Sequence, residues 1–420
     1  MKVLISAYAC EPDKGSEPGV GWNWVQQITR SHEAWIITRE NNRDSIHRAM
    51  ADSQIPNAHF IYVDLPAWAR FWKRGSRGAR LYYYLWQIRA YFSGRKLNQK
   101  VQFDLGHHVT FVNDWMPSFL CLLPFPFVWG PVGGSTHRAP VSFWREFGFR
   151  GFLYEIARTF GILVGRYLDP FVWMTRNRAS VIIAMSEGAV SGFPASVRNK
   201  VLPIGNVGFS IGELPEYLQA VAKPAATNDS HTPIVFTAGR LVHWKGYSVL
   251  LKSCAAYRKA GHTLQLKIGG TGPDEARLRR LAKKLGIDDC VTFLGRLPDR
   301  DAVFDQLNSC DIFVMPTFHD GPPVVFLEAM AVGKPVICLD LGGPSEIITS
   351  ECGVKLAVIS LSQVINDLAE AINRLGSDAE LRGRLGAAAR ERIRSNFNWE
   401  KKGDTVASIY QSLKIPAVHH

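Results

Sequence analysis

The residues best suited to chemistry are two carboxylates and two cations in the second half of the 420-residue chain. Asp320 and Glu328 flank the predicted start of a helix, and neither has an obvious basic partner nearby in the sequence. Arg240 and Lys245 follow a predicted buried strand and have glycines beside them. Cations in this setting are well placed to bind a diphosphate, and a planar guanidinium can hold two of its oxygens at once. Two solvated charges on a turn are the simpler alternative.

The elements around the two carboxylates predict one parallel crossover unit. Two apolar runs predict strands at Ile312–Met315 and Val336–Leu339. Between them, turn residues predict a turn at Asp320–Pro323, and a helix is predicted at Val324–Val332, where a glycine and a proline end it. The turn then lies at the carboxyl end of a parallel sheet, which is where open α/β folds bind their ligands.

Length and composition predict a globular protein with two domains. Apolar residues make up 46% and charged residues 20% of the chain, which is ordinary for a globular protein. The seven cysteines are scattered without a Cys-x-x-Cys pair. This argues against a zinc site or a disulfide framework and favours a reducing cytoplasm. The first apolar run is too short for a signal peptide, and no run reaches transmembrane length.

The positive charge is concentrated in the first half. The net charge is +12, of which residues 1–212 contribute +10 through 24 Lys and Arg against 14 Asp and Glu. Residues 66–100 combine nine basic residues with many aromatics and no acidic residue. This composition favours an anionic membrane surface, with residues 140–178 as a second candidate. Single-stranded nucleic acid binding is disfavoured, and aromatics that simply fill the core are the alternative.

Two further patterns in the first half are candidate site features. Glu11 to Gly21 predicts a glycine-rich turn between a first strand and a helix that starts at Trp22, a geometry suited to a phosphate. Because Gly-x-Gly-x-x-Gly is absent, a dinucleotide-binding dehydrogenase is not supported. A second pattern is a strand predicted to end in His107 and His108, one of which could serve a site. Asp299 and Asp301 are predicted to cap a helix rather than to bind a metal.

Five motifs in order resemble the retaining glycosyltransferases of family 4. The first three are Gly-Arg-x4-Lys-Gly at residues 239–246, Gly-x-Gly-Pro at 270–273 and Phe-Leu-Gly at 293–295. The last two are acidic-Gly-x6-Glu-Ala-Met-Ala-x-Gly-x-Pro-Val at 320–336 and Gly-Gly-x-x-Glu at 342–346. The resemblance implies an α/β fold of the GT-B class, with two Rossmann-like domains facing across a cleft. We expect these domains at residues 1–207 and 208–398, with a C-terminal helix in residues 399–420 that packs back on the first.

The resemblance also implies a role for each matching residue. Arg240 and Lys245 would hold the diphosphate of the donor, Glu328 its ribose, and Asp320 hydroxyls of the transferred sugar. Further donor contacts are implied for Arg296 near the base, for Gly19 and Gly21 against the phosphates, and for His108, or else His107, near the sugar.

Two departures from the family pattern concern the turn before the predicted helix. Asp320 stands where the family has glutamate, and a shorter side chain reaches less far. Pro322 and Pro323 follow Gly321 where the family usually has Gly-Phe-Gly, and proline has no N–H to donate. The backbone amides left for a donor are those of Gly321, Val324 and Val325.

The implied function is metal-independent transfer of a hexose, with retention, from a nucleoside-diphosphate sugar. The expected acceptor is a lipid-linked glycan in surface polysaccharide synthesis, reached from the inner face of the plasma membrane. No cofactor and no nucleic acid are expected. Two alternatives stay open: a sugar-nucleotide epimerase of GT-B fold, and a non-catalytic subunit that binds a sugar nucleotide or a lipid. The sugar, the base (UDP, GDP or another) and the linkage also stay open.

Overall fold

The structure is a computed structural model that describes residues 1–73, 78–133, 139–219 and 232–414. The chain forms two compact units. The first comprises Met1–Thr136, Thr159–Asn206 and Trp399–His420, and the second comprises His137–Arg158 and Val207–Asn398. The second unit therefore includes a segment, residues 137–158, that the sequence analysis places in the first domain.

The first unit is built on a seven-stranded parallel sheet. Its strands, in chain order, are β1 Lys2–Ala7, β2 Glu33–Arg39, β3 Ala58–Val63, β4 Leu105–Thr110, β5 Phe127–Val132, β6 Val181–Ala184 and β7 Val201–Pro203. Their order across the sheet is β3-β2-β1-β4-β5-β6-β7, and every neighbouring pair is parallel. The central strands β4 and β5 are buried at every residue, as expected for a parallel sheet covered on both faces.

The second unit is built on a six-stranded parallel sheet. Its strands are β8 Ile234–Ala238, β9 Gln265–Gly269, β10 Val291–Gly295, β11 Ile312–Met315, β12 Val336–Leu339 and β13 Gly353–Leu356. Their order is β10-β9-β8-β11-β12-β13. In both sheets the strand order reverses direction once, between β1 and β4 and between β8 and β11. Open α/β sheets bind ligands beside the carboxyl ends of the strands at such a reversal.

Helices connect the strands. They are α1 Ser16–Thr29, α2 Arg43–Asp52, α3 Ala79–Val101, α4 Gly148–Tyr167, α5 Pro170–Arg178, α6 Glu187–Ser191, α7 Ala195–Arg198, α8 Glu216–Gln219, α9 Tyr247–Lys259, α10 Glu275–Leu285, α11 Arg300–Ser309, α12 Val324–Val332, α13 Gly342–Ile347, α14 Leu361–Ser377, α15 Ala379–Asn396 and α16 Trp399–Lys414. Within the first unit, α16 packs on α1, where Trp399 meets Trp24 edge to face at a ring separation of 5.5 Å. In the part of the chain that the structure describes, none of the helices has the length and apolar character needed to cross a bilayer.

Helix α1 begins earlier than predicted. It starts at Ser16 rather than Trp22, so Gly19 and Gly21 lie buried inside the helix and not in the preceding loop. A side chain at either position would collide with the loop, because a Cβ would stand 1.8 Å from Lys14 O at Gly19 and 2.0 Å from Ala9 O at Gly21. The glycines therefore allow the loop backbone to lie directly against the helix.

The basic aromatic stretch divides between core and surface. Tyr82, Tyr83 and Trp86 on α3 are buried, as the core-filling alternative predicts. Trp68 and Phe71 are 78% and 77% exposed. On α3 itself, Leu81 and Phe92 are exposed, and so are the basic residues Arg89, Arg95 and Lys96. Arg74 and Arg77 fall outside the described residues.

Candidate active site

The candidate site lies where two loops of the second unit meet, at the reversal of its strand order. One loop follows β8 and contains Lys245, and the other follows β11 and contains Asp320. The loops are joined through Trp244, whose carbonyl oxygen accepts hydrogen bonds from Phe318 N at 2.8 Å and from Thr317 Oγ1 at 3.1 Å. Motifs far apart in the sequence are thereby held together by the backbone.

Lys245 and Asp320 form an ion pair in this site. Lys245 Nζ lies 2.8 Å from Asp320 Oδ2, and the same oxygen accepts a hydrogen bond from Thr317 Oγ1 at 2.6 Å. Both side chains are largely buried, with 16% and 19% of their surfaces exposed. The basic partner that the sequence analysis did not find near Asp320 therefore comes from the neighbouring loop. An incoming anion would compete with Asp320 for the ammonium group.

Glu328 also has a cationic partner that the sequence analysis missed. Arg300 Nε donates to Glu328 Oε1 at 2.8 Å, and Arg300 Nη1 donates to Glu213 Oε2 at 2.6 Å. Burial raises the pKa of Glu328, and the positive charge of Arg300 opposes that shift. Arg300 lies inside the Asp299-Arg-Asp301 motif, which the sequence analysis assigned to capping alone. Capping is confirmed for Asp299, which accepts from Ala302 N at 2.8 Å, whereas Asp301 lies in the first turn of α11.

Helix α12 points its first amides at the same region. It begins at Val324 with Pro323 as its N-cap, and no side chain caps it. The first N–H groups of a helix have no partner inside it, so Val324 and Val325 can donate to a ligand. The preceding turn rests on Gly343, where a Cβ would stand 2.1 Å from Pro322 N. Gly343 is therefore needed for the close approach of Gly321 and Pro322.

Arg240 and Arg296, both predicted to contact the donor, are exposed at the carboxyl ends of β8 and β10. Among the residues that the structure describes, neither has an ion-pair partner. The sheet places β10 two strands from β8, which at about 4.8 Å a strand is roughly 10 Å. Arg296 thus lies on the edge of this sheet, away from Lys245 and Asp320.

His107 and His108 lie within β4, not at its end as predicted. His107 Nε2 donates to Gly130 O at 2.7 Å and its Nδ1 accepts from the hydroxyl of Tyr410, so both ring nitrogens are engaged. His108 Nε2 lies 3.4 Å from Phe111 O, and its Nδ1 is buried with no hydrogen-bond partner among the described residues. Burial lowers the pKa of His107 to about 3 and that of His108 to about 4. His108 is therefore the neutral ring with a nitrogen still available.

A cluster that the sequence analysis did not identify lies beside these loops in the second unit. Glu155 on α4 accepts hydrogen bonds from His243 and His319, which stand two residues before Lys245 and one before Asp320. Burial raises the pKa of Glu155, but the two imidazole hydrogen bonds, together with the positive charges of His319 and Arg158, lower the pKa to about 2. No local signal links Glu155 to these loops, because it comes from the segment 137–158.

Comparison with known proteins shows a match concentrated in the second half of the chain. Residues 220–392 match the family model described as glycosyl transferases group 1. A GDP-mannose-dependent monoacylated alpha-(1-6)-phosphatidylinositol monomannoside mannosyltransferase from Corynebacterium glutamicum is 35% identical over 205 residues, 47% of this chain and 52% of that protein. The putative colanic acid biosynthesis glycosyltransferase WcaL of Escherichia coli is 29% identical over 189 residues, 43% and 46% of the two chains. The chain thus spans about half the length of the curated relatives it matches.

Solved structures show the fold along nearly the whole chain. Sucrose-phosphate synthase from Thermosynechococcus elongatus aligns with a TM-score of 0.68 at 19% identity, covering 98% of each chain. Anabaena HepE, solved in complex with UDP-glucose, aligns with a TM-score of 0.62 at 16% identity, covering 98% of this chain and 100% of that one. The resemblance to group 1 glycosyl transferases is confirmed over residues 220–392, and so is the predicted GT-B fold class, with one Rossmann-like sheet in each unit.

Proposed function

We propose that this chain, which carries a group 1 glycosyl transferase sequence in a GT-B fold, is a retaining glycosyltransferase that uses a nucleoside-diphosphate sugar. The observation that carries the proposal is the Lys245–Asp320 pair at the strand reversal of the second unit. A cation for a diphosphate and a carboxylate for sugar hydroxyls stand side by side there, and each satisfies the other while no substrate is bound.

The diphosphate of the donor is proposed to bind between Lys245, Arg240 and the amides of Val324 and Val325. Lys245 exchanges Asp320 for a phosphate oxygen, which leaves Asp320 free to accept hydrogen bonds from the sugar. The helix N-terminus adds partial positive charge without any side chain. These groups neutralise the charge that develops on the leaving phosphate, so we propose that neither a metal nor a cofactor takes part in the transfer.

The nucleoside is proposed to lie toward Glu328. Arg300 uses only one oxygen of this carboxylate, and no hydrogen bond to Oε2 is present among the described residues. Oε2 is thus available for the ribose hydroxyls, with Arg296 toward the base. The relatives leave the base open, because one is named GDP-mannose-dependent and HepE was solved with UDP-glucose.

Two proposals concern the first unit. His108 is our candidate for the histidine that faces the sugar, because both nitrogens of His107 are already engaged. Gly19 and Gly21 act indirectly, by holding the loop that precedes α1 in position for the phosphates.

We propose attack on the same face of the sugar that the leaving group departs from. The bond between the anomeric carbon and the phosphate oxygen breaks, and the bond to the acceptor oxygen forms. The acceptor proton moves to the departing phosphate oxygen, so no protein base is required. Lys245 and Arg240 stabilise the departing charge, and the product keeps the anomeric configuration of the donor.

The acceptor is proposed to be a lipid-linked glycan at the inner face of the plasma membrane. Relatives named for colanic acid and lipopolysaccharide core biosynthesis support a surface-polysaccharide role. The exposed apolar and basic residues on α3, together with Trp68 and Phe71, support contact with an anionic bilayer.

A donor screen tests the proposal. Purified protein is incubated with UDP- and GDP-sugars, and release of nucleoside diphosphate is measured with and without membrane lipid extract. We expect one donor to be turned over, with turnover abolished in Lys245→Met and retained in Lys284→Met, a lysine on the exposed face of α10. NMR of the product should show the donor's anomeric configuration. An inverted product refutes the mechanism, and epimerisation of free donor without transfer supports the epimerase alternative.

A further inference from the structure

The Glu155, His243 and His319 side chains converge on one point in the second unit. Glu155 Oε1 lies 3.0 Å from His243 Nε2 and 2.8 Å from His319 Nε2. One ligand-type atom from each of the three residues lies within 4.8 Å of the other two. The side chains of Glu155, His243 and His319 are only 1%, 12% and 5% exposed.

Aromatic packing holds both imidazole rings in place. Trp244 stacks on His319 with ring centroids 5.2 Å apart, and Tyr154 packs edge-on against His243 at 5.3 Å. Tyr154 in turn stacks on Trp244 at 5.4 Å. The two nitrogens are therefore directed at the carboxylate by packing as well as by hydrogen bonds.

Two imidazoles and one carboxylate are a donor set for divalent transition metals. Bonds of about 2.1 Å place neighbouring ligand atoms about 3.0 Å apart at right angles and about 3.4 Å apart in a tetrahedron. The two observed oxygen–nitrogen separations, 2.8 and 3.0 Å, lie within about 0.6 Å of these values. The ligand atoms of the two imidazoles lie within 4.8 Å of each other. Calcium and magnesium fit poorly, because both prefer a shell of oxygen ligands and only one carboxylate is present.

We propose that Glu155, His243 and His319 form a site for a divalent transition metal, with Zn²⁺ the best match. Such an ion would fasten α4 to the loops that carry Lys245 and Asp320, because two of its ligands stand within two residues of that pair. Its role is to position these loops, and the proposed transfer chemistry does not pass through it. The inference is therefore independent of the proposed function.

Metal binding by the whole protein tests this site. Protein stripped with a chelator is titrated with Zn²⁺, and with Co²⁺ to obtain a visible absorption spectrum. We expect one equivalent to bind and to raise the thermal unfolding midpoint. His243→Ala and His319→Ala should each weaken binding at least about 100-fold, since each removes a direct ligand. The control is His262→Ala, because His262 is exposed in the same unit and stacks on Tyr257.

Glu155→Gln keeps the size of the side chain and an oxygen that can accept from an imidazole, so it separates metal binding from folding. A Glu155→Gln protein with a native circular dichroism spectrum should lose the Co²⁺ spectrum. The proposal is overturned if the wild type binds no stoichiometric Zn²⁺ or Co²⁺. It is also overturned if Glu155→Gln, or a variant that combines His243→Ala with His319→Ala, binds these ions as tightly as the wild type does. Nucleoside diphosphate binding, measured on the same samples, tests the proposed function separately.

Discussion

Replacing Lys245 with methionine should affect nucleotide affinity and stability for two separable reasons. Methionine keeps most of the length of lysine but removes the ammonium group. A hydrogen bond to a charged group contributes about 1.5 to 3 kcal/mol, and each 1.4 kcal/mol is about tenfold in affinity. We therefore expect nucleoside diphosphate to bind about 10- to 150-fold more weakly. The variant should also lose about 1 to 3 kcal/mol of stability, because Thr317 is then the one side-chain partner left to Asp320 among the residues that the structure describes.

Asp320→Asn separates the two roles of the pair. Lys245 is then no longer held by a carboxylate, so the affinity for UDP or GDP should stay the same or rise. Affinity for the complete sugar nucleotide should lose its advantage over the nucleoside diphosphate, because the proposed sugar ligand is weakened. Asp320→Asn should also restore part of the stability that Lys245→Met loses, since no carboxylate is left unpaired.

Isothermal titration and thermal unfolding of the wild type, both single variants and the double variant form one thermodynamic cycle. Lys284→Met controls for the loss of one positive charge. If Asp320→Asn weakens nucleoside diphosphate binding as much as Lys245→Met does, the division into a phosphate ligand and a sugar ligand is wrong.

Three further changes test other parts of the structure. Arg300→Gln should destabilise the protein by about 1 to 3 kcal/mol and weaken nucleotide binding, because buried Glu328 loses its cation. The control is Arg394→Gln, which breaks an exposed pair with Glu391, and equal effects of the two variants would reject the assignment. A histidine that is kept neutral by burial makes folding less favourable as the pH falls below about 6.5. The pKa of His108 is about 4 in the folded chain. Between pH 7 and 4, the free energy of unfolding of the wild type should therefore fall by about 3 kcal/mol more than that of His108→Asn. Urea unfolding measures both, and equal losses in the two proteins would contradict this. Substituting alanine at Arg89, Arg95 and Lys96 together should weaken binding to phosphatidylserine vesicles about 100-fold, at roughly 1 kcal/mol for each charge. The Lys283/Lys284 double alanine variant is the control. Unchanged vesicle binding by the triple variant would refute the membrane proposal.

The vesicle experiment leaves out Arg70, Lys73 and Arg80 because each of them already has a partner. Arg70 pairs with Asp64. Lys73 and Arg80 lie over the rings of Tyr82 and Trp115, at 4.6 and 4.8 Å. Replacing any of them would disturb local packing as well as surface charge.

The elements around Asp320 and Glu328 were predictable because their signals are local. Helix α12 has the predicted bounds, since prolines precede it and Gly333, at a φ of 83°, ends it. The start of α1 was not predictable from the same kind of signal. The sequence predicts Gly19 and Gly21 in the loop, whereas in the structure they are helical residues that allow close backbone contact.

The partners of the charged site residues could not be predicted, because tertiary packing determines them. Lys245 reaches Asp320, and Arg300 reaches Glu328, across loops and helices that are distant in the sequence. The unit to which Glu155 belongs could not be predicted for the same reason. It precedes the predicted boundary at residue 207 yet belongs to the second unit, so only the folded chain brings it to His243 and His319.

A crystal structure with the bound nucleoside diphosphate tests the central claim most directly. We predict that the diphosphate lies at the reversal between β8 and β11, within hydrogen-bonding distance of Lys245 Nζ and the amide of Val324 or Val325. The ribose hydroxyls should contact Glu328, and Asp320 should have moved away from Lys245. A nucleotide bound elsewhere, or one bound here while the Lys245–Asp320 pair stays intact, would contradict it.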